Sequence, residues 1–183
     1  MKKLSVIFIL LCGMAVVSCN DDDDNQPNNV LPENDRMFVM NAADGGMFEV
    51  KAGELAVSKG DSTKTGMVMA GDSMSIKSFG QMMITDHTKA NNELKTIADR
   101  KQVSIPTTLS EAKQKMIDSL SAASGAAFNT MYTRMMVSSH RETVALFEKE
   151  SGSGQDADLK SWATATLPTL KHHLEMAEMM HDQ

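Results

Sequence analysis

Apolar residues recur at intervals of three and four along the chain from Asn34 onward. This periodicity is typical of helices that bury one face. Helix-forming residues dominate the region, and Pro106 and Pro168 are the only prolines in it. The pattern therefore predicts an all-α domain that covers residues 34–183.

Glycine, proline and capping residues divide this pattern into four long helices and a short one. The predicted bounds are 35–59 (with Asn34 as N-cap), 72–101, 126–151 and 156–180 for the long helices and 109–123 for the short one. A short helix between the second and third long helices predicts a crossover, and a bundle of four helices with one long crossover has ferritin-like connectivity. A plain up-and-down bundle is the alternative.

The beginning of the chain has a different pattern. Lys2 and Lys3 precede an apolar stretch over residues 4–17, which is typical of a secretory signal. A small residue, Ser18, stands directly before Cys19, and this order resembles the lipobox of bacterial lipoproteins, in which the cysteine becomes the first residue and carries lipid. We therefore predict a lipoprotein signal peptide over residues 1–18 and lipidation of Cys19. A plain signal peptide cleaved nearby is the alternative.

Residues 21–24 are four consecutive aspartates, and Asn, Gln and Pro follow them. Such a segment cannot bury apolar surface, so we predict a disordered acidic tether over residues 19–33. An acidic tract after a lipidated cysteine also resembles export signals that send some lipoproteins to the outer face of the outer membrane. A solvated spacer is the equal alternative. Together these features predict a cell-envelope protein that is attached to a membrane, the outer membrane in particular, through lipid on Cys19.

Charge and composition exclude several classes of protein. The chain has 18 Lys+Arg against 24 Asp+Glu, a net charge of −6, whereas nucleic-acid binding requires a basic face. Cys12 and Cys19 are the only cysteines, so loss of the signal and lipidation leave no thiol for a disulfide or a thiolate metal site. No phosphate-binding glycine loop or nucleophile motif is present. The sequence thus predicts no nucleic-acid partner and no catalytic residue.

Four polar residues lie on the apolar stripes of separate predicted helices: Glu49, His87, His140 and His173. Each lies within about four residues of the middle of its helix, so the four share a slab roughly 8 Å thick. Side chains on facing helices build metal sites in bundle cores, and this set suits Zn, Fe or Cu. We predict that the four are metal ligands and that Asp86 and Tyr132 orient the imidazoles from behind. Ligands of one ion should place their ring nitrogens roughly 3–4 Å apart.

Other interpretations of these residues stay open. The same side chains could form a buried hydrogen-bond network without metal that fixes the register of the helices. An enzyme would need an open coordination position and a pocket. A dinuclear site is disfavoured because it needs two Glu-x-x-His pairs, and the chain offers only Glu178 with His181. Met176 and Met179 beside His172 could hold Cu(I), although methionines usually fill gaps in cores.

Four segments resemble the family called domain of unknown function 4142: GGMFEVKAGELA (45–56), MMITDHTKANNEL (82–94), YTRMMVSSHRETVALFE (132–148) and LPTLKHHLEMA (167–177). The Asp-His pair at 86 and 87 and the Leu-Pro pair at 167 and 168, followed by His173, are the most specific parts. The resemblance implies a ferritin-like bundle in the cell envelope and no established reaction. It also places Glu49, Asp86, His87, Tyr132, His140, Pro168 and His173 at positions of the family pattern.

Two departures from the family pattern stand out. Asn129 follows Phe128, where the family often has an aspartate, so one possible carboxylate is missing. The connection over residues 63–73 is longer than usual, which makes the start of the second long helix less certain.

Overall fold

The computed structural model describes residues 31–63, 68–69 and 72–182. The predicted signal peptide, Cys19 and the tether up to residue 30 lie outside the described residues. Leu31, which the prediction assigned to the tether, is buried against the helices. Within the described ranges, no helix combines the length and the apolar character that crossing a membrane requires.

Five helices make up the described part of the chain: α1 (Glu33–Lys59), α2 (Ile76–Arg100), α3 (Glu111–Ala122), α4 (Gly125–Ser153) and α5 (Ala157–His181). Two short strands, β1 (Val68–Met69) and β2 (Asp72–Ser73), pair antiparallel between α1 and α2. The prediction of an all-α fold with a short fifth helix is confirmed, and most helix ends lie within two residues of their predicted positions.

Two predicted helix starts were wrong. The second long helix begins at Ile76 and not at residue 72, because Asp72 and Ser73 pair with β1. Ser75 and Ser78 then form a reciprocal cap, in which each hydroxyl accepts from the other residue's backbone N–H at 3.1 and 2.8 Å. At the start of α1, Pro32 precedes the first turn, so Asn34 is not the N-cap.

The helices form two antiparallel pairs, α1 with α2 and α4 with α5. Contacts between Gly46 and Asn91 and between Gly53 and Gly80 fix the direction of the first pair. Because α2 and α4 run the same way, the chain must return along the bundle between them, and α3 lies on this return. Its start is held by Asp44, whose carboxylate accepts from the Ser110 N–H at 2.8 Å. The predicted four-helix bundle with a short crossover helix is confirmed, in contrast to an up-and-down bundle.

The apolar core consists of two clusters, one toward each end of the bundle. The first joins the end of α1 and the start of α4 with parts of α2, α3 and α5, and includes Phe48, Phe79 and Phe128. The second lies at the opposite end and includes Phe38, Phe147 and Leu159. Buried polar side chains lie between the two clusters, and this middle layer contains the candidate site.

Candidate metal centre

Three histidines meet in the middle layer of the bundle. His87 of α2, His140 of α4 and His173 of α5 are 4%, 0% and 1% exposed. One ring nitrogen from each lies within 4.8 Å of the other two. Nε2 of His87 and Nε2 of His140 are 3.3 Å apart. This separation suits ligands of one ion, because tetrahedral imidazole ligands at about 2.0–2.1 Å from a metal place their nitrogens roughly 3–4 Å apart.

The second nitrogen of each ring meets a hydrogen-bond acceptor. His87 Nδ1 lies 3.0 Å from a Glu49 carboxylate oxygen, and His140 Nδ1 lies 2.9 Å from the Met136 carbonyl. His173 Nε2 lies 2.9 Å from the Asp86 carboxylate, whereas its Nδ1 is buried without a hydrogen-bond partner. This arrangement leaves one nitrogen of each ring available for an ion. Metal-binding histidines show the same pattern, with the other ring N–H donating to a carboxylate or carbonyl.

Glu49 lies beside the histidine cluster, on the outer side of the His87 ring. Its Oε2 approaches the outer nitrogen of His87, and its Oε1 accepts a hydrogen bond from the Ser139 hydroxyl at 2.8 Å. The His87 ring therefore stands between this carboxylate and the common point of the histidines, and Glu49 is not one of the clustered ligand groups. That Glu49 is itself a ligand stays a prediction; in this structure its carboxylate contacts the outer nitrogen of His87.

Asp86 contacts His173 as predicted, and its side chain is 37% exposed. Tyr132 does not orient an imidazole. Its ring packs against Phe79 and Phe128 at centroid distances of 6.1 and 6.0 Å, and its buried hydroxyl has no hydrogen-bond partner among the described residues. The structure thus places Tyr132 in the apolar cluster and shows no contact of its hydroxyl with an imidazole.

Ser139 and Thr143 contribute to the site although the sequence analysis did not single them out. Their hydroxyls donate to the same oxygen of Glu49 at 2.8 and 3.5 Å. The two residues are four apart on α4, so they share a face, and this face meets α1. The four-residue spacing of Ser139 and Thr143, next to His140 in the sequence, was the pattern from which they could have been predicted.

The family model for domain of unknown function 4142 (DUF4142) matches residues 22–180. The chain belongs to the DUF4142 family. Neither the curated proteins nor the solved structures give a match to it. The predicted family resemblance is confirmed, and the histidine cluster of this DUF4142 protein lies within the matched region.

Burial sets the charge of the site in this DUF4142 protein. It lowers the pKa of His140, and together with the neighbouring His87 and His140 rings it lowers the pKa of His173 to about 4. Both rings are therefore neutral at pH 7, which is the form that binds metals. Burial by itself raises the pKa of Glu49, but the nearby imidazoles and the Ser139 hydrogen bond outweigh it, so the net pKa is lowered and the carboxylate is ionised.

The alternative sites from the sequence are not assembled. His172 is exposed whereas Met176 is buried, so these two groups face different surroundings. Glu178 pairs with Arg141 at 2.6 Å, and His181 Nδ1 lies 3.3 Å from the Thr133 hydroxyl. Glu178 and His181 thus have other partners, and the three buried histidines remain the candidate centre.

Proposed function

We propose that this DUF4142 protein is a lipid-anchored protein of the cell envelope whose bundle binds a transition metal ion through His87, His140 and His173. The observation that carries the proposal is the pairing of the ring nitrogens, with one from each ring near a common point and the other on an acceptor. Imidazole ligands suit Zn, Fe and Cu, and three protein ligands leave a fourth position for water or another ligand. The role is metal storage, metal sensing or protection against stress.

Two further features support this proposal. The single long crossover gives the connectivity of ferritin-like bundles, which hold metals between facing helices. The basic start, the apolar stretch and the Ser18-Cys19 pair support a lipid anchor, and the four aspartates support a solvated spacer between anchor and bundle. The spacer would hold the bundle clear of the headgroups, at the outer membrane.

Elemental analysis of the purified protein in detergent tests metal binding. We expect about one equivalent of a transition metal after loading, and a higher melting temperature that chelation reverses. His173→Ala should lose both effects, whereas His172→Ala should keep them, because His172 is the exposed neighbour of the same helix. Less than about a tenth of an equivalent, with melting unchanged by chelation, would refute the proposal.

A hydrogen-bond network without metal is the second candidate. The 3.3 Å separation between the Nε2 atoms of His87 and His140 favours it, because one ring can donate directly to the other. In this case neither added metal nor a chelator changes the melting temperature. His87→Ala would still lower the free energy of unfolding by about 2–3 kcal/mol, because it leaves buried partners unsatisfied. The metal titration therefore separates the two candidates.

A further inference from the structure

One helical turn from the three histidines, the same three helices carry buried methionines. Met83 precedes His87 by four residues on α2, Met136 precedes His140 by four on α4, and Met176 follows His173 by three on α5. Because α5 runs opposite to α2 and α4, all three displacements point toward the same end of the bundle. A step of three or four residues is about 4.5–6 Å along a helix. The three methionines (the thioether layer, Met83, Met136 and Met176) thus adjoin the histidine layer.

The side chains of the thioether layer are about as buried as those of the histidine layer. Met83 and Met136 are 0% exposed and Met176 is 6% exposed, and all three belong to one apolar cluster. At this level α1 contributes Ala52 and Gly53, and a Cβ added at Gly53 would lie 3.2 Å from the Met83 Cβ. Since α1 offers only small groups here, the methionine side chains fill the layer.

On α2, α4 and α5, the positions one turn from the histidine carry methionine on one side only. One turn toward the opposite end, the corresponding positions carry Asn91 on α2, Thr143 and Val144 on α4, and Leu170 on α5. Leucine and valine would serve for packing on either side, so packing by itself does not require sulfur at all three positions next to the rings. A methionine occurs one turn from the histidine on each of three helices, and this repetition indicates that the thioether groups have a chemical role.

The chemical softness of the ligand atoms indicates which ion the histidine layer and the thioether layer would bind together. Thioether sulfur is a ligand for Cu(I), whereas imidazole binds Cu, Zn and Fe alike. We infer that Met83, Met136 and Met176 form a thioether site for Cu(I) that adjoins the histidine centre, and that copper is the ion this bundle takes. The inference rests on the proposed function, because it assigns the metal to a centre that the histidines already define.

Anaerobic Cu(I) titration against a chromophoric competitor tests the thioether site. The layer variant Met83→Leu/Met136→Leu/Met176→Leu is compared with the control variant Met116→Leu/Met131→Leu/Met180→Leu, which removes three sulfur atoms from the same apolar cluster outside the layer. Leucine conserves the volume of methionine, so both variants should fold. We expect the Cu(I) affinity to fall at least about tenfold in the layer variant, as loss of soft ligands predicts, and to stay unchanged in the control. The Zn²⁺ affinity should stay unchanged in both.

X-ray absorption at the copper edge gives a second readout. Sulfur neighbours of the copper are expected in the wild-type protein and in the control variant, and are expected to be missing in the layer variant. If circular dichroism shows that the layer variant does not fold, the single variants Met83→Leu and Met136→Leu replace it in both measurements.

The outcomes separate this inference from the proposed function. Unchanged Cu(I) affinity in the layer variant, or copper with nitrogen neighbours only, would overturn the thioether site while Zn²⁺ binding by the histidines still stood. Absence of Zn²⁺, Fe²⁺ and Cu(I) binding alike would overturn the proposed function itself.

Discussion

His173 connects the buried centre to the surface of the molecule. Its Nε2 lies 2.9 Å from Asp86, whose side chain is 37% exposed, while its Nδ1 is buried without a partner. The hydrogen bond to Asp86 fixes which nitrogen carries the proton, so the other nitrogen presents its lone pair. A carboxylate at the edge of the site therefore controls the orientation of a ring that solvent hardly reaches.

Asp86→Ala is expected to lower the affinity for Zn²⁺ roughly 10–100-fold, because loss of such an orienting partner weakens a metal site by this factor. The free energy of unfolding of the metal-free protein should fall by about 1–3 kcal/mol, since the buried Nε2 of His173 loses its hydrogen-bond partner. Isothermal titration and urea unfolding measure the two quantities.

Asp99→Ala is the matched control, because it removes an exposed carboxylate from the same helix. Both quantities should stay at their wild-type values in the control. Unchanged Zn²⁺ affinity in Asp86→Ala would show that the carboxylate does not position His173 for metal.

Residue periodicity was enough to identify the three histidines, because a stripe position fixes the face of a helix on which a side chain lies. The role of Glu49 could not be predicted in this way. It depends on which ring nitrogen of His87 the carboxylate meets, and this is decided by the rotation of the ring within the packed layer. A helical stripe contains no information about that rotation.

At the scale of elements, α1 and α2 approach closely where two glycines face each other. A Cβ added at Gly53 would lie 2.7 Å from the Gly80 carbonyl oxygen, and one at Gly80 would lie 2.6 Å from the Ala56 Cβ. Both distances are too short for real contacts. The close approach of the two helices thus depends on the missing side chains, and it sets the position of His87 relative to Glu49.

Gly53→Ala is expected to lower the free energy of unfolding by about 1–3 kcal/mol, because the added methyl group pushes the helices apart. The loss should occur although alanine by itself favours a helix by about 1 kcal/mol over glycine. Gly152→Ala on α4 is the control, since a Cβ there meets nothing within 4 Å. It should raise stability by up to about 1 kcal/mol. Chemical unfolding measures both variants, and equal effects of the two would contradict the close packing of α1 on α2.

Helix positions were largely predictable because amphipathic periodicity and capping act locally. The start of α2 was not, because it depends on the pairing of β2 with β1, which lies earlier in the chain. The path of α3 beside α1 likewise depends on long-range contacts, such as the one between Ser110 and Asp44. Contacts of this kind leave no periodic signal in the sequence.

At the scale of the whole molecule, assembly brings three acidic side chains together at the end of the bundle away from the thioether layer. Asp35 lies in the first turn of α1, Glu150 lies in the last turn of α4, and Asp156 caps α5. Glu150 is 4% exposed and its Oε1 has no hydrogen-bond partner in the described part of the chain. Burial, with the charges of Asp35 and Asp156, raises the pKa of Glu150 to about 7.

A raised pKa of a carboxyl group means that the folded protein binds the proton more tightly than the unfolded chain. The resulting stability is complete below pH 4.5, the ordinary value of the group, and is lost as the pH rises through about 7. At about 1.4 kcal/mol per pKa unit, the loss amounts to at most about 3.5 kcal/mol. The contribution of Glu150 to the free energy of unfolding should therefore fall between pH 5 and pH 8. The lowered pKa values of His140 and His173 act in the opposite direction below about pH 6.5, so the fall is measured as the difference between the wild-type protein and a Glu150 variant.

Glu150→Gln should remove this fall, because the amide does not titrate, and should make the protein more stable than wild type at pH 8. Glu142→Gln, an exposed change on the same helix, should keep the fall. Urea unfolding across this pH range measures the effect. An identical pH profile in Glu150→Gln and wild type would show that the buried acid does not titrate in this range.

The partial exposure of Asp86 also determines how an ion could come and go. Apolar clusters close both ends of the bundle, whereas a cavity of about 220 Å³ opens on the flank between α2 and α5 and has Asp86 in its wall. The Asp86 side chain in this wall contacts His173, so it stands between the cavity and the buried histidines. Rotation of an exposed side chain takes picoseconds to nanoseconds. If the centre holds an ion as proposed, we expect exchange at this flank to be faster than unfolding of the bundle.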